Sequence, residues 1–413
     1  MANTLKFGNG EWYGKKDTIL AYNDENNNYK PLPFDFSRDG SATVVNKDGL
    51  IETVGSGEPR IDYKDDSKGA LLLEPSRSNK ITYSDLQSQV VWYSGSAWTV
   101  SDNSQISPQG ILNASSLTED LTNGFHSGYY NSVIDNGYTG DYTISCFAKY
   151  NGRYLALSPK SATERTIFDL QNGSIYQLGD GGVTAKIDNY GNGWYRCSVT
   201  CSFSNENVNF EHLLANNNSL QYQGDGVSGI YIYGCQAEAG SYPTSYIQTQ
   251  GSSVTRLADS CVDAGNDQVF NDNEGVIYVE TQPFIDGDFT SVYISLSNNT
   301  TGNDFITIQH RNSGQLRVYA GNFSTIIFLQ NIDMSENLKI ALQYKNITDF
   351  KLYVNGISYP IYSTPTNSAF VGLNTFDFKL RGSTSGYWLG QVKEAKYFNT
   401  ALTDQELQAL TSN

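Results

Sequence analysis

A chain of 413 residues exceeds what one hydrophobic core supports, roughly 250 to 300 residues, so two or three domains are expected. Its 29 Tyr, 38 Gly and only 2 Met, with 13% aromatic residues, favour pleated β surfaces joined by Gly, Asn and Asp turns. A net charge of −16 without any basic run argues against nucleic acid and anionic membrane surfaces as partners, and no run of about 18 apolar residues is present to insert into a membrane.

The start, MANTLKFGNGEWYGKK, lacks the apolar centre of a secretory signal, which predicts a chain made and kept in a cytoplasm or released by lysis. Residues 1–84 carry 11 Lys and Arg against 13 Asp and Glu, a nearly neutral balance that suits docking against protein. Between Gly40 and Asn79 turn chemistry dominates, with a hairpin expected where Ala42–Val45 and Leu50–Val54 flank Lys-Asp-Gly. Ordering costs about 1 to 2 kcal/mol per residue in backbone entropy. So sparse an apolar content therefore predicts folding against a partner surface or another copy of the chain.

From 85 to 262, YTISCFAKY, YLALS, TIFDL, GWYRCSVTCSF and GIYIYGCQAEAG alternate side chains as strands do, with QNGS, GDGG and NYGNG as turns. This pattern predicts a two-sheet sandwich or jelly roll. In GNGWYRCSVT, Tyr195, Cys197 and Val199 share the expected core face, which leaves Arg196 at the surface. A second sandwich is expected over 263–413, from GVIYVETQPF, SVYISLS, DFITIQH, QLRVYAG, LKIALQYK and DFKLYVNGISY. The terminal TALTDQELQALTSN predicts the one clear helix, with Thr403 as N-cap, Glu406 closing a capping box, and Leu407 and Leu410 on one face. The fold class expected is all-β: an amino-terminal oligomerisation and docking segment (1–84), two β-sandwich domains (85–262 and 263–413) and a short carboxy-terminal helix.

The five cysteines, Cys146, Cys197, Cys201, Cys235 and Cys261, lie mostly inside apolar strand patterns and read as buried free thiols. Of the three histidines, His126 and His310 sit at turn edges and read as solvated, while no G-x-S-x-G elbow accompanies any of them. No strand presents an alternating carboxylate cluster of the kind glycoside hydrolysis needs. The reading is a protein without catalytic residues or cofactor. A weak calcium candidate is Asp263, Asp267, Asp272 and Glu274 in DAGNDQVFNDNEG, although EF-hand spacing is lacking and a solvated linker is preferred. Sugar rings stack on exposed aromatic faces, which makes Trp92, Trp98, Tyr387 and Trp388, with Tyr129 and Tyr130, glycan candidates by composition. For any one of these, core or interface is the preferred reading.

Three segments resemble known families. PFDFSRDGSATVVNKDGLIE, continuing through EPRIDYKDDSKGALLLEPSRSNKITYS, is similar to an amino-terminal module of phage head-fibre, head-spike and tail-fibre proteins. Its conspicuous residues here are Phe34, Phe36, Arg38, Gly40, Arg60, Tyr63, Leu72, Glu74, Arg77 and Asn79. IYIYGCQAEAGSYPTSYIQTQGSSVTRLAD looks like the closing strand and linker of the carbohydrate-binding-module-like sandwich that follows that module. DFKLYVNGISYP with GYWLGQVKEAKYFNTALTDQELQALT resembles the end of a concanavalin A-like, laminin-G-type jelly roll. The resemblance implies a virion protein made in a bacterial host, a homotrimer attached through its amino terminus to other virion proteins, and sandwiches with possible glycan partners. A head fibre is the first expectation, a tail-fibre adhesin recognising host polysaccharide the second, and a polysaccharide-degrading enzyme the third.

Overall fold

Alternating side chains govern nearly every segment, and the structure is accordingly all-β, with one short α-helix among the described residues. It is a computed structural model that describes residues 4–20, 22–23, 34–85, 87–89, 97–129, 134–284, 291–300, 302, 304–311, 314–321, 324–329, 331–333, 336–361, 369–381, 383 and 386–412. The chain forms two compact units: residues 1–41, 54–75 and 257–413 make the first, residues 42–53 and 76–256 the second. This interleaved division replaces the expected boundaries at 84 and 262. The segment 1–84 is shared between the two units.

In the first unit the larger sheet runs Ile357–Tyr359, Asp349–Val354, Leu338–Lys345, Glu274–Pro283, Gly390–Phe398, Thr4–Gly8 and Tyr22–Asn23, all antiparallel. Two pieces of the amino-terminal segment occupy the edge of Gly390–Phe398. Thr4–Gly8 pairs from Thr4 opposite Phe398 to Gly8 opposite Glu394, and Ala70–Leu73 continues with Leu71 opposite Val392 and Leu73 opposite Gly390. An edge strand left bare would be open to pairing with other chains, and here the same chain covers it. At the join, Gly8 (φ +96°) lies so close to the carbonyl of Lys393 that a Cβ would stand 2.2 Å from that oxygen. The second sheet runs Ser324–Leu329, Gln315–Ala320, Phe305–Arg311, Ser291–Ser297 and Thr375–Asp377. Phe7, Phe34, Leu71 and Leu73 belong to the same buried cluster as Ile277, Val292, Ile308 and Leu342. The partner surface that the amino-terminal residues need is thus the carboxy-terminal part of their own chain.

The conspicuous charges of that segment are buried with their counter-charges. Arg38 Nη1 donates to Asp259 Oδ1 at 3.2 Å and to the Glu58 carbonyl at 3.0 Å, while its Nε reaches the carbonyl of Gly40 at 3.2 Å. Arg60 Nη2 donates to the other Asp259 oxygen, and Arg60 Nη1 to Glu74 Oε2 at 2.6 Å. The Glu74 backbone N–H also donates to Asp259, at 2.8 Å. Burial alone would lower the Arg60 pKa, but Asp259 and Glu74 outweigh it and hold the pKa above the ordinary value. Phe36 and Leu72 are buried nearby in sequence, and the Tyr63 ring packs on Gly69.

The second unit is a sandwich of two antiparallel sheets. One runs Trp98–Ile106, Leu112–Glu119, Gly229–Ala239, Asp135–Asn151, Trp194–Val208 and Thr184–Asn189; the other runs Ser127–Tyr129, Glu211–Ala215, Tyr154–Ser158, Thr166–Asp169 and Ser174–Gln177. Cys146, Cys197, Cys201 and Cys235 are buried free thiols in the core between the sheets, and Cys261 is one in the first unit. Arg196 departs from expectation because the six-stranded sheet is buried on both faces. Phe147, Trp194, Tyr233 and Tyr246 cover its outer side with Val45 and Ile51. Arg196 is buried there, its guanidinium 5.3 Å from the Phe147 ring centre and 3.2 Å from Ser145 Oγ. Asn79 is fully used: Nδ2 donates to the carbonyls of Cys235 and Ile247, and Oδ1 accepts from Ile81 N–H and Ala237 N–H. Arg77 lies against Gly240. Arg77–Asn79 pairs with Val254–Arg256, where the chain enters and leaves this unit.

The helix Asp404–Thr411 has its capping box, with Glu406 N–H donating to Thr403 Oγ1 at 3.3 Å and Thr403 N–H to Glu406 Oε2 at 2.7 Å. Leu407 seats it on Tyr278, Ala341 and Tyr353. Among the described residues no helix is long and apolar enough to cross a membrane. Asp259→Ala would leave two buried guanidinium groups without this carboxylate, which predicts a loss of about 3 to 5 kcal/mol. Denaturant unfolding followed by hydrogen exchange is expected to show the loss in Glu274–Pro283 and Gly390–Phe398.

Candidate functional site

The outer face of the five-stranded sheet in the first unit carries polar groups at successive alternate positions. On Phe305–Arg311 the residues Ile306, Ile308 and His310 turn inward, which leaves Thr307, Gln309 and Arg311 outward. Register then builds rows across the strands: Ser291, Arg311 and Gln315; Tyr293, Gln309 and Arg317; Asp377, Ser295, Thr307 and Tyr319.

Gln309 is the centre of this lattice. Its Nε2 donates to Ser291 Oγ at 2.9 Å and to Tyr293 Oη at 3.0 Å, and its Oε1 accepts from Tyr319 Oη at 3.0 Å. Arg317 Nη1 donates to Tyr319 Oη at 3.3 Å, and Ser295 and Thr307 hydroxyls lie 3.0 Å apart. Gln309, Ser295 and Thr307 are buried, while Ser291, Tyr293, Gln315, Arg317 and Tyr319 are half-buried. At one end Arg381 covers the face, its guanidinium 3.8 Å from the Phe305 ring centre and its Nη1 donating to the Thr300 carbonyl. Asp377 is buried at that end and accepts the Asp263 N–H at 2.7 Å; burial raises its pKa to about 6. The arrangement offers fixed hydroxyl, amide and guanidinium groups beside two tyrosine rings, which suits a polyhydroxylated ligand.

The corresponding face of the second unit has a different filling. Ala156, Ile167, Leu213 and Ala215 are buried there beneath Leu220 and Tyr154, and Arg165 forms a bidentate pair with Glu211 at 2.8 and 2.5 Å. Tyr176 stays about half exposed at its rim, 5.6 Å from the Tyr154 ring. That face is largely closed by apolar packing.

Of the sequence-based glycan candidates, Trp98 and Trp388 are core residues. Trp98 stacks on His212 at 5.0 Å, and Trp388 meets His310 edge-on at 5.1 Å. Tyr387 is half-buried under Lys379, and the adjacent Gly386 lies against Tyr293, so Tyr387 borders the lattice. Trp92 and Tyr130 lie outside the described residues, as does the side chain of Tyr129. The four acids of the calcium candidate have separate tasks. Asp272 accepts Gly372 N–H and Leu373 N–H, Glu274 accepts Ala401 N–H, Asp263 accepts Asn299 Nδ2 at 3.4 Å, and Asp267 is exposed. Among the described residues no three His, Cys, Asp or Glu side chains gather to hold a metal ion.

No protein-family model matches the chain, and no curated protein matches it. Solved structures do. The carbohydrate-binding module CBM40 of the Ruminococcus gnavus IT-sialidase, bound to α2,3-sialyllactose, is 18% identical over 37% of this chain and 94% of its own, with a TM-score of 0.30. A leech intramolecular trans-sialidase is 18% identical over 36% of this chain and 26% of its own, at 0.29. The LG1–3 region of the laminin α2 chain is 9% identical over 97% and 91%, at 0.18. None of these scores reaches 0.5, and nothing about a ligand or an activity passes from them to this chain.

All three histidines are fully buried, against the expectation of solvated turn residues for His126 and His310. His126 Nδ1 lies 2.7 Å from the Ala97 carbonyl, which can only accept, so the proton of this bond sits on Nδ1. Burial lowers the pKa of His212 and His310 from 6.5 to about 3. The unfolded chain takes up protons below about pH 6.5 that the folded chain refuses, so this stability is complete above 6.5 and drains away toward pH 3. Each histidine is expected to cost roughly 2 kcal/mol at pH 5 relative to pH 7. Urea midpoints measured at the two pH values should fall accordingly, and His310→Phe should flatten the slope.

Proposed function

We propose that this protein is a non-catalytic subunit of a phage fibre or spike that binds a glycan through the outer face of the first unit's five-stranded sheet. The observation that carries the glycan reading is the lattice centred on Gln309, whose hydroxyl, amide and guanidinium groups are fixed by one another, with Ser291, Tyr293, Arg317 and Tyr319 half-buried around it. Preformed polar groups lose little freedom on meeting sugar hydroxyls, and tyrosine rings offer a face for sugar C–H groups. The virion reading is supported by the resemblance of residues 33–84 to phage fibre modules. Placement on the head comes first and a tail-fibre adhesin second, with assembly as a homotrimer.

Hydrolysis is the lesser reading. Its best acid is Asp377, with its raised pKa near Asp263, but that carboxylate accepts a backbone N–H and sits at the covered end of the face.

Affinity electrophoresis against polysaccharides from the host surface should retard the protein. Tyr293→Ala and Tyr319→Ala are each expected to weaken retardation about tenfold, with melting curves confirming that each variant is folded at the temperature of the assay. Retardation that survives both substitutions would remove this face as the binding surface. Light scattering on the full chain should give three copies, and immunogold labelling of particles with an antibody to residues 263–413 should decorate the capsid. Label at the tail tip would favour the adhesin, and a monomer absent from particles would sink the virion reading.

A further inference from the structure

Cysteines on three adjacent strands of the second unit fall in one row. On the six-stranded sheet Cys197, in Trp194–Val208, stands directly opposite Cys146, in Asp135–Asn151. Cys235 lies on Gly229–Ala239, the strand on the other side of Cys146. All of them are buried in the same core. The two neighbours of Cys146 are not equivalent. Toward Cys197 the register is unbroken, and residues directly opposite one another keep their Cβ atoms about 4.5 to 5.5 Å apart, wider than the roughly 3.8 Å of a disulfide. Toward Cys235 the ladder bulges: Ser145 faces Gln236 and Phe147 faces Tyr233, so Cys146 alone faces both Gly234 and Cys235. Gly234 makes this bulge at φ +59°, where a Cβ would stand 2.8 Å from the Phe147 ring. The bulge brings sulfur to sulfur, and the Cys146 and Cys235 thiols are hydrogen-bonded to each other.

We infer that Cys146 and Cys235 are a disulfide-forming pair, reduced while the chain is in a cytoplasm and joined when the folded protein meets a medium that contains an oxidising small-molecule disulfide. Burial first, and then Cys146, hold the Cys235 thiol well above its ordinary pKa, so thiolate is scarce and the exchange is slow. Gln87 hydrogen-bonds the Cys235 sulfur and acts in the opposite direction, which favours Cys235 as the attacking group. Its thiolate, having lost a proton, attacks one sulfur of the small disulfide and expels a small thiol. The Cys146 thiolate then attacks Cys235 Sγ and expels the second. The protein loses two electrons and two protons, and the small disulfide is reduced to two thiols. The new bond encloses about 90 residues, a loop long enough to restrict the unfolded chain strongly. That loop holds every strand of the facing five-stranded sheet except Ser127–Tyr129.

The test holds the reduced full chain with oxidised glutathione, once in native buffer and once in urea just below the unfolding transition, where the interior opens transiently. Free thiols are then trapped and the bonds mapped by peptide mass spectrometry. The expected product is lighter by two hydrogen atoms, with Cys146 bonded to Cys235 and with Cys197, Cys201 and Cys261 free. Its urea midpoint should rise by about 1 to 2 M and fall back on reduction with dithiothreitol. Cys235→Ser should abolish both the bond and the rise, whereas Cys197→Ser should keep the bond. If Cys235→Ser does not fold, the map of the unaltered chain decides alone. Five free thiols after both treatments, glutathione adducts without a bond between the two residues, or a bond from Cys146 to Cys197 would each overturn the inference.

Discussion

Asp259 is the point on which the first unit depends. One carboxylate holds Arg38, Arg60 and the backbone N–H of Glu74, and all of these groups are buried. A buried charge left unpaired costs several kcal/mol, so none of the three segments can leave without penalising the others. The pairs span 221 and 199 positions of sequence, which makes them a fastening between the amino-terminal strands and the carboxy-terminal sandwich. Replacing such a network by apolar side chains is often neutral for stability. What the charges add is selectivity, since a misplaced strand would bury a guanidinium with no acid to meet it.

With its interior fixed in this way, the first unit carries a lattice of polar side chains on the outer face of its five-stranded sheet. The two units illustrate how one architecture takes different chemistry at the same topological place. In the second unit small apolar residues and Leu220 close the five-stranded sheet, and its charged side chains pair with each other as Arg165 does with Glu211. In the first unit the equivalent positions are Ser, Thr, Gln, Tyr and Arg, whose hydrogen bonds run sideways along the sheet. Buried polar side chains satisfied by one another are rigid, and that rigidity holds Tyr293 and Tyr319 in place.

Much of the fold was legible in the sequence because its signals are local. Strand alternation, the capping box at Thr403 and Glu406 and the buried thiols all depend on neighbours a few residues away. The unit boundaries were not legible, because they are set by Thr4–Gly8 and Ala70–Leu73 meeting a strand more than 300 residues further on. Trp98, Trp388 and the histidines illustrate a second limit: composition names residue types able to meet a ligand, whereas their side of the sheet decides whether they do. His310 could have been placed, since it shares the inward parity of Ile306 and Ile308. Tyr293, Gln309 and Arg317 each lie on the polar side of their own strands, but only the cross-strand register brings them into one row.

The division of the chain also sets an order of events during synthesis. Residues 76–256 hold most of the second unit and are synthesised before residues 257–413, so that unit has nearly everything it needs early. The first unit does not. Its opening strand, Thr4–Gly8, waits for Gly390–Phe398, an interval of roughly 20 to 80 s at about 5 to 20 residues per second. During that interval Phe7, Phe34 and Leu71 have no core to enter, and the amino-terminal segment must remain soluble on its charges and turns alone. Its near-balance of acids and bases, spaced among Gly, Asn and Asp, is then a property of the nascent chain as much as of the finished fold.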